Sequence, residues 1–129
     1  MKRKIIGFGE IVYDIIFKHH KPIVAQSGGS VLNMMITLSR LGVPVVFVAD
    51  LVDDIVGRHI AAFLQQQGIN IQHIFWHSEG KSRIALTFLN ENNDAENIFF
   101  IKCKTNKLHP LLSLSLTRMM FLFLGVITP

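Results

Sequence analysis

An alternation of short apolar runs and helical patterns in the first half of the chain constrains its fold most strongly. Residues 4–8 form an apolar run closed by glycine, which is typical of a buried central strand. A helical pattern follows over residues 28–42, then a second apolar run at 43–49, then a second helical pattern that stops at Gly68. Strand, helix, strand and helix in this order predict a parallel sheet with helices packed against it.

The ends of the two predicted helices carry residues suited to those positions. Gly42 comes where a helix C-terminus favours a residue with positive φ. Asp53 or Asp54 can accept a hydrogen bond from the first turn of the second helix. N-capping fits this pair of carboxylates better than acid–base chemistry or metal binding, so we expect the pair to be structural.

Beyond residue 70 the pattern changes from helices to strands. Residues 71–75, 84–89 and 98–101 are strand-like, and the segments between them are rich in turn-forming residues. This arrangement predicts a β-meander appended to the parallel sheet.

The composition argues against several classes of protein. The 129 residues are enough for one ordinary domain, and half of them are hydrophobic. The net charge of +4 is scattered along the chain, so we expect no nucleic-acid partner. Cys103 is the single cysteine, which excludes an internal disulfide and a cysteine-based metal site.

Hydropathy and histidine placement give no sign of a membrane or a metal. The longest apolar run, residues 119–127, is about half of the ~20 residues that a spanning helix needs. The first residues lack a secretory signal, so we expect a cytoplasmic protein with no membrane partner. His19, His20, His73 and His77 form no evident ligand set, and we expect them at the surface.

One carboxylate lies in an unusual place. Residues 11–17 are β-branched and aromatic except for Asp14, and they either continue the first strand or begin a separate one. Residues 18–27, which are polar and contain Pro22, are predicted to be a connection. A charge within an apolar strand is costly unless a ligand or partner meets it. Asp14 is therefore either a ligand-binding carboxylate or a strand-end residue that faces solvent.

The entry to the first helix offers further candidates. Gly28 and Gly29 allow close backbone approach, and the free N–H groups of a helix start favour oxygen ligands. The same glycines are also expected where a helix entry merely needs unusual dihedral angles. Asn33, one turn into the helix, is either an amide of the same site or an exposed helical residue.

Several short blocks of sequence follow one another in a defined order and spacing. They are residues 5–10 (IIGFGE) with Asp14, residues 28–33 (GGSVLN) with 38–42 (LSRLG), residues 48–58 (VADLVDDIVGR) and residues 67–70 (QGIN), followed by strand-like segments at 82–90 and 98–100. Together they resemble the ribokinase-like (PfkB) carbohydrate kinases, and fructokinases most of all. The resemblance covers about residues 3–102.

This resemblance implies an α/β fold of the ribokinase-like type. Its expected parts are a partial parallel sheet flanked by helices and an appended β-sheet lid, with lid strands at about residues 11–17 and 71–101. The C-terminal half of the fold, with the family's Gly-Ala-Gly-Asp segment, is not in this sequence. The chain would thus be one incomplete domain over residues 1–129.

The resemblance also implies an activity and a set of site residues. The chain would be the N-terminal portion of an ATP-dependent kinase that phosphorylates a hydroxyl of a hexose such as fructose, or of a related sugar. A full-length member would use ATP and Mg²⁺, whose site and catalytic residues lie outside this chain, so the chain alone is predicted to be inactive. The sugar-binding residues would be Asp14, Gly28, Gly29 and Asn33, with Glu10 and Ser30 as further candidates.

Three residues depart from the family pattern. Val52 stands where the family usually has glycine before the paired aspartates, and Val31 and Leu32 are bulkier than the family's small residues. All three are expected near the sugar site.

Two alternatives belong to other classes of protein. Gly7 and Gly9 follow a strand as in a nicotinamide-dependent oxidoreductase, but Val12 replaces the third glycine of that motif. A non-catalytic, self-associating module is the second alternative, since exposed strand edges invite pairing. In either the kinase or the module, a homodimer through the lid strands is expected.

The tail after Cys103 loses the family pattern. Read one base earlier, codons for Met119 to Pro129 can encode a segment with paired aspartates and Gly-Ser-Tyr-Tyr-Ala, which resembles the continuation of a fructokinase. We therefore expect that residues 103–129 are divergent and arose by a frameshift near residues 103–110.

Overall fold

The structure, a computed structural model that describes residues 3–100 and 125–127, contains two four-stranded sheets. The first sheet, here called the core sheet, has the strand order β5-β4-β1-β8, and the second, the lid sheet, has the order β3-β2-β6-β7. The elements in chain order are β1 (Lys4–Phe8), β2 (Val12–Lys18), β3 (Lys21–Gly28), α1 (Ser30–Arg40), β4 (Val45–Val52), α2 (Ile55–Gln66), β5 (Ile74–His77), β6 (Ile84–Leu89), β7 (Ala95–Phe100) and β8 (Gly125–Ile127).

The core sheet is parallel across its first three strands. Strand β1 pairs with β4 from Ile5↔Val45 onward, and β4 pairs in parallel with β5. The predicted parallel sheet with helices is therefore confirmed. Strand β8 runs antiparallel to β1 on its other side. Strand β8 is the described part of the tail that was expected to be divergent, and the rest of that tail lies outside the described residues.

The main core lies where α1 and α2 meet the core sheet. Its largest fully buried side chains are Phe47, Leu32, Met35, Ile60 and Leu64. Helix α1 approaches β1 closely because two glycines of β1 and the turn after it face the helix. A Cβ on Gly7 would lie 2.5 Å from Met35 Sδ, and a Cβ on Gly9 would lie 2.5 Å from Val31 Cβ.

The predicted helix boundaries are confirmed. Gly42 and Gly68 follow the two helices with φ values of 78° and 76°, the left-handed conformation that favours glycine. Asp54 is the N-cap of α2, and its carboxylate accepts a 2.8 Å hydrogen bond from the Gly57 N–H.

The lid sheet consists of two hairpins joined side by side. Strands β2 and β3 form the first, with His19 and His20 at positive φ in the turn, and β6 and β7 form the second. Strands β2 and β6, which are far apart in the chain, pair in parallel at the centre of the sheet. The chain crosses between the two sheets at β1–β2, at β3–α1 and at β5–β6.

The two faces of the lid sheet differ in polarity, because residues paired across strands share a face. The apolar face carries Ile15 and Phe17 of β2, Leu86 and Phe88 of β6, and Ile98 of β7. The rings of Phe17 and Phe88 stack on this face with centroids 4.9 Å apart. The opposite face is mixed: it carries Asp14, Gln26, Thr87 and Asn97 together with the apolar Ile16 and Val24. Glu96, opposite Phe88, is a charged residue on the apolar face.

Two predictions about the strands are wrong. Residues 71–75 were expected in the lid, but β5 joins the edge of the core sheet beside β4, and Ile69 and Ile74 are buried in the core. The lid is consequently a pair of hairpins and not a meander. The segment at residues 18–27 was expected to be a connection, but it contains β3.

Backbone pairing with β2 explains why this segment forms a strand. Residues 21–26 are exposed, including the apolar Ile23 and Val24, so burial of side chains does not account for the strand. Pro22 lies opposite Phe17, next to the register shift between Ile16 and Phe17, where a missing N–H is tolerated. The sequence left open whether residues 11–17 continue the first strand or begin another. They form a separate strand, because β2 pairs in the lid sheet and β1 in the core sheet.

The glycines beneath α1 give a testable prediction for stability. Gly9→Ala should lower the free energy of unfolding of the 129-residue chain by about 1–3 kcal/mol, because the β-branched Val31 is stiff and cannot move away from the added methyl group. Gly7→Ala is the matched control, since the flexible Met35 can change rotamer and should reduce the cost. Urea unfolding measures both values, and a larger loss for Gly7→Ala than for Gly9→Ala would contradict this account.

Candidate functional site

The candidate site lies at the junction of the lid sheet and the start of α1. The chain passes this junction twice, first between β1 and β2 at residues 9–11 and again between β3 and α1 at residues 28–30. Ile11 is buried in the core at the first passage, which fixes β2 to the core sheet. The residues predicted from sequence to bind a ligand belong to these two passages and to the elements that follow them.

Asp14 lies in β2, an inner strand of the lid sheet, between Gln26 of β3 and Ala85 of β6. Its carboxylate rests directly against the α-carbon of Gly28, where any Cβ would collide with Oδ2. Gly28 is therefore required by the position of Asp14, which is a more specific reason than a general need for flexibility.

The environment of the Asp14 carboxylate is unfavourable for its charge. Partial burial raises the pKa of Asp14 above its ordinary value of 3.8, and among the described residues no hydrogen bond to the carboxylate offsets this shift. A carboxylate in this state gains from any ligand that donates hydrogen bonds to it. The alternative of a solvent-facing residue at a strand end fits this position poorly, because Asp14 lies in the interior of β2.

Gly29 begins helix α1 in a conformation that only glycine adopts easily. It is the N-cap residue and has a φ of 133°. A Cβ added to Gly29 would lie 2.5 Å from the Glu10 carbonyl oxygen, so a larger residue would collide with this oxygen. As a glycine, the N-cap residue has no side chain that could accept a capping hydrogen bond, and the first turn contains no acidic residue. The N-terminal end of α1 thus keeps its preference for negatively polarised oxygen atoms.

The side chain of Glu10 has a protein partner. Glu10 Oε1 lies 3.3 Å from Nη1 of Arg83, whose side chain is only 10% exposed. The Arg83 carbonyl also accepts a 2.9 Å hydrogen bond from the Tyr13 N–H, so Arg83 joins the start of β6 to the start of β2. Arg83 was not singled out from the sequence, since a single basic residue before an apolar run carries no local signal.

The structure brings some of the predicted residues together and leaves others apart. Asp14 contacts Gly28, and the backbone of Glu10 contacts Gly29. Ser30 and Asn33 lie exposed in the first turn of α1, where the Asn33 N–H donates to the Gly29 carbonyl. No contact between the Asn33 side chain and Asp14 is present among the described residues.

The bulky residues that depart from the family pattern point into the core. Val31 and Leu32 are buried, with Val31 against Gly9, and Val52 is also buried. These side chains pack in the core beside the site.

A second polar cluster lies at the carboxyl ends of β4 and β5. His77 Nε2 is 2.8 Å from Asp50 Oδ1, and the two side chains are 20% and 7% exposed. The prediction of a surface position is thus wrong for His77, although His19, His20 and His73 are exposed. The partners are 27 positions apart in the chain, so no local pattern indicates the pair. Asp50 Oδ2 is buried and has no hydrogen-bond partner within the described residues.

Within residues 3–100 and 125–127, no group of three or more His, Cys, Asp or Glu side chains is arranged to hold a metal ion. No helix in this part of the chain has the length and hydropathy needed to cross a membrane.

The fold and the junction define an α/β domain with an appended lid sheet, and comparison with known proteins gives the family. The family described as "pfkB family carbohydrate kinase" has a sequence model that matches residues 2–116 of this chain. The chain therefore belongs to the pfkB family of carbohydrate kinases. These comparisons give no support to an oxidoreductase or to a non-catalytic module.

Curated relatives of the chain are much longer than it is. A probable fructokinase-4 of Arabidopsis thaliana is 27% identical over 106 residues, which are 77% of this chain and 32% of the relative. A 5-dehydro-2-deoxygluconokinase of Geobacillus thermodenitrificans is 29% identical over 89 residues, 64% of this chain and 26% of the relative. The chain thus spans about a third of the length of the curated relatives it matches.

Solved structures confirm the ribokinase-like fold. The apo fructokinase of Vibrio cholerae O395 superposes with a TM-score of 0.70 at 20% identity, covering 79% of this chain and 35% of that one. A fructokinase from Xylella fastidiosa with bound ATP superposes with a TM-score of 0.66 at 24% identity. The superposition covers 78% of this chain and 33% of the fructokinase. The chain corresponds to the N-terminal part of this fold.

The raised pKa of Asp14 predicts a stability effect with a defined pH dependence. Because the folded protein binds the Asp14 proton more tightly than the unfolded chain does, ionisation of Asp14 costs stability above its folded pKa. Asp14→Asn should therefore raise the thermal unfolding midpoint slightly at pH 7, and the gain should vanish below pH 3.8. Asp53→Asn is the control, since Asp53 is exposed and paired with Arg58. A lower midpoint for Asp14→Asn at pH 7 would refute the argument.

Proposed function

We propose that this chain is the N-terminal portion of an ATP-dependent sugar kinase and supplies part of the sugar site. The observation that carries the proposal is the Asp14 carboxylate, held against Gly28 beside the uncapped start of α1. The acceptor would be a hexose such as fructose or a related sugar. The names of the relatives, fructokinases and 5-dehydro-2-deoxygluconokinases, favour this class of substrate.

The chemistry of the junction suits a polyhydroxylated ligand. A carboxylate accepts hydrogen bonds from two neighbouring hydroxyl groups at once, and such bonds offset the cost of its burial. Asn33 can add an amide donor and acceptor from the first turn of α1, and Ser30 can add a hydroxyl. Glu10 would act on the ligand less directly, because its side chain pairs with Arg83.

ATP and Mg²⁺ would be held by residues outside this chain. The described residues contain no Gly-x-x-x-x-Gly-Lys-Ser/Thr loop and no cluster of carboxylates suited to Mg²⁺. Phosphoryl transfer needs a base, donors for the developing charge and a bound nucleotide. We therefore expect the 129-residue chain to bind sugar without phosphorylating it.

A homodimer through the lid sheet is the second part of the proposal. Phe88 and Ile98 are 38% and 45% exposed on the apolar face of the lid sheet, next to the stacked ring of Phe17. A contiguous apolar surface of this kind is typical of a protein interface. The face that carries Asp14 would remain open to the ligand.

Sugar binding gives a direct test of the site. Asp14→Ala should weaken the affinity for fructose or another bound hexose at least about ten-fold, since a hydrogen bond to a charged group contributes roughly 1.5–3 kcal/mol. Asn33→Ala should have a smaller effect in the same direction. Calorimetric titration measures both affinities, with Asp53→Ala as the control variant. Equal affinities for the parent chain and both site variants would show that the site is elsewhere.

The same preparations test the expected inactivity. A coupled assay with ATP, Mg²⁺ and a panel of hexoses and pentoses should give no turnover above background. Turnover that persists on repurification would mean that the catalytic residues are in this chain.

The dimer has its own test. Ile98→Asp should shift the chain from dimer to monomer, because a charge then replaces an apolar side chain in each copy. Burying a side chain of this size contributes up to about 1.5–3 kcal/mol of free energy. Asn97→Asp, on the opposite face of the same strand, should leave the dimer intact. Size-exclusion chromatography with light scattering distinguishes the two states. A monomeric parent chain at high concentration, or equal dissociation of both variants, would rule out this interface.

A further inference from the structure

The third crossing between the two sheets is tied down by side-chain hydrogen bonds. Ser82, which is buried just before β6, donates from its backbone N–H to Asp54 Oδ2 at 2.8 Å. Its hydroxyl donates to Asp54 Oδ1 at 2.6 Å. Asp54 belongs to the core, where it caps α2, and Ser82 leads directly into the lid sheet.

Asp54 makes more bonds than helix capping requires. An N-cap needs one oxygen to accept from one backbone N–H, and the Gly57 N–H fills this role at 2.8 Å. The remaining capacity of the carboxylate is used by the two donors of Ser82. Burial alone would raise the pKa of Asp54, but the hydrogen bonds from Ser82 and Gly57 outweigh this and hold the pKa below its ordinary value. The cluster is therefore built around the ionised carboxylate.

The close packing of this corner leaves little freedom for Ser82. The Gly57 α-carbon faces Ser82 Oγ, and an added Cβ would lie 3.3 Å from it and collide with the Val52 carbonyl oxygen. The Asp53 N–H donates to the His77 carbonyl at 2.8 Å, which joins the end of β5 to the same corner. The connection from β5 to β6 is thus fixed at both of its ends.

The fixed position of Ser82 is transmitted to the candidate sugar site through the next residue. Arg83 pairs with Glu10, and its carbonyl accepts from the Tyr13 N–H. From Tyr13↔Ile84 onward β6 pairs with β2, which places Ala85 beside Asp14. A continuous path of short hydrogen bonds and strand pairing therefore runs from the start of α2 to the strand of Asp14.

We propose that Asp54 and Ser82 form a latch that fixes the base of the lid sheet to the N-terminus of α2, and that Asp54 is thereby a positioning residue for Asp14. The latch itself depends only on the contacts above. Its effect on ligand binding rests on the proposed sugar-binding function.

The test uses variants of the 129-residue chain that keep the helix cap. Asp54→Asn keeps a good capping residue and the shape of the side chain. It replaces one carboxylate oxygen by an NH₂ group, which cannot accept a hydrogen bond, so one of the two bonds from Ser82 is lost. Ser82→Ala removes only the hydroxyl and serves as a milder second variant if Asp54→Asn does not fold. Asp53→Asn is the matched control, because the neighbouring Asp53 is exposed and pairs with Arg58.

Hydrogen exchange of backbone amides, resolved by strand, measures the latch. In Asp54→Asn and Ser82→Ala, exchange should rise by at least about ten-fold in β2 and β6 relative to β4 of the core sheet. Unchanged exchange in the lid strands, or an equal rise in lid and core strands, would overturn the latch and leave Asp54 as a simple cap.

Sugar titration of the same variants separates the latch from the proposed function. If the latch positions Asp14, both variants should weaken hexose binding while the Asp53→Asn control does not. Faster lid exchange with undiminished hexose affinity would remove the positioning role. A parent chain that binds no hexose, combined with faster lid exchange in the variants, would refute the sugar site while the latch stands.

Discussion

The close contact between α1 and β1 determines the geometry of the rest of the structure. Gly7 and Gly9 have no side chains, so Met35 and Val31 can rest directly on the strand backbone. A helix that lies this close to its sheet begins at the point where the chain leaves β1. The backbone of Gly29 then lies against the Glu10 carbonyl, and the uncapped end of α1 comes to the junction where Asp14 meets Gly28. The candidate site is thus a consequence of packing in the core.

The lid sheet combines two surfaces that would otherwise need separate elements. Side chains alternate along each strand, so one face can carry Asp14 while the other carries Phe17 and Phe88. The carboxylate keeps its unfavourable environment only while the lid stays in place over the start of α1. Strand pairing between β2 and β6, together with the Glu10–Arg83 ion pair, maintains that placement. Ligand binding and self-association are therefore both linked to the orientation of one sheet.

Features that depend on residues near in sequence could be predicted, and those that depend on distant residues could not. The cap at Asp54 and the left-handed glycine at Gly42 are local patterns, and the structure confirms both. Strand β3 was missed because its short apolar stretch around Ile23 and Val24 is exposed and lies beside Pro22, and its pairing with β2 is what makes it a strand. The placement of β5 depends on its parallel pairing with β4, a strand more than 20 residues earlier, which the apolar pattern alone does not specify.

The site followed the same rule. Asp14, Gly28 and Gly29 could be singled out because a charge in an apolar strand and a glycine pair before a helix are visible in the sequence. The partners that hold them in position, Ser82 and Arg83, come much later in the chain, and serine or arginine at a strand start is common. Whether Asn33 shares a ligand with Asp14 remains a prediction, since the two side chains make no contact among the described residues.

The pairing of β2 with β6 also constrains the order in which the molecule can fold. The hairpin of β2 and β3 is local, but its central partner β6 comes roughly 70 residues later in the chain. An isolated two-stranded hairpin is at best marginally stable in water, so the first hairpin must wait through the synthesis of both helices and β4 before the sheet can close. The helices and β1, β4 and β5 need no such wait. The hairpin that carries Asp14 is consequently synthesised early, but its sheet is completed only when β6 pairs with β2. The apolar face of the hairpin is exposed to other chains during that interval.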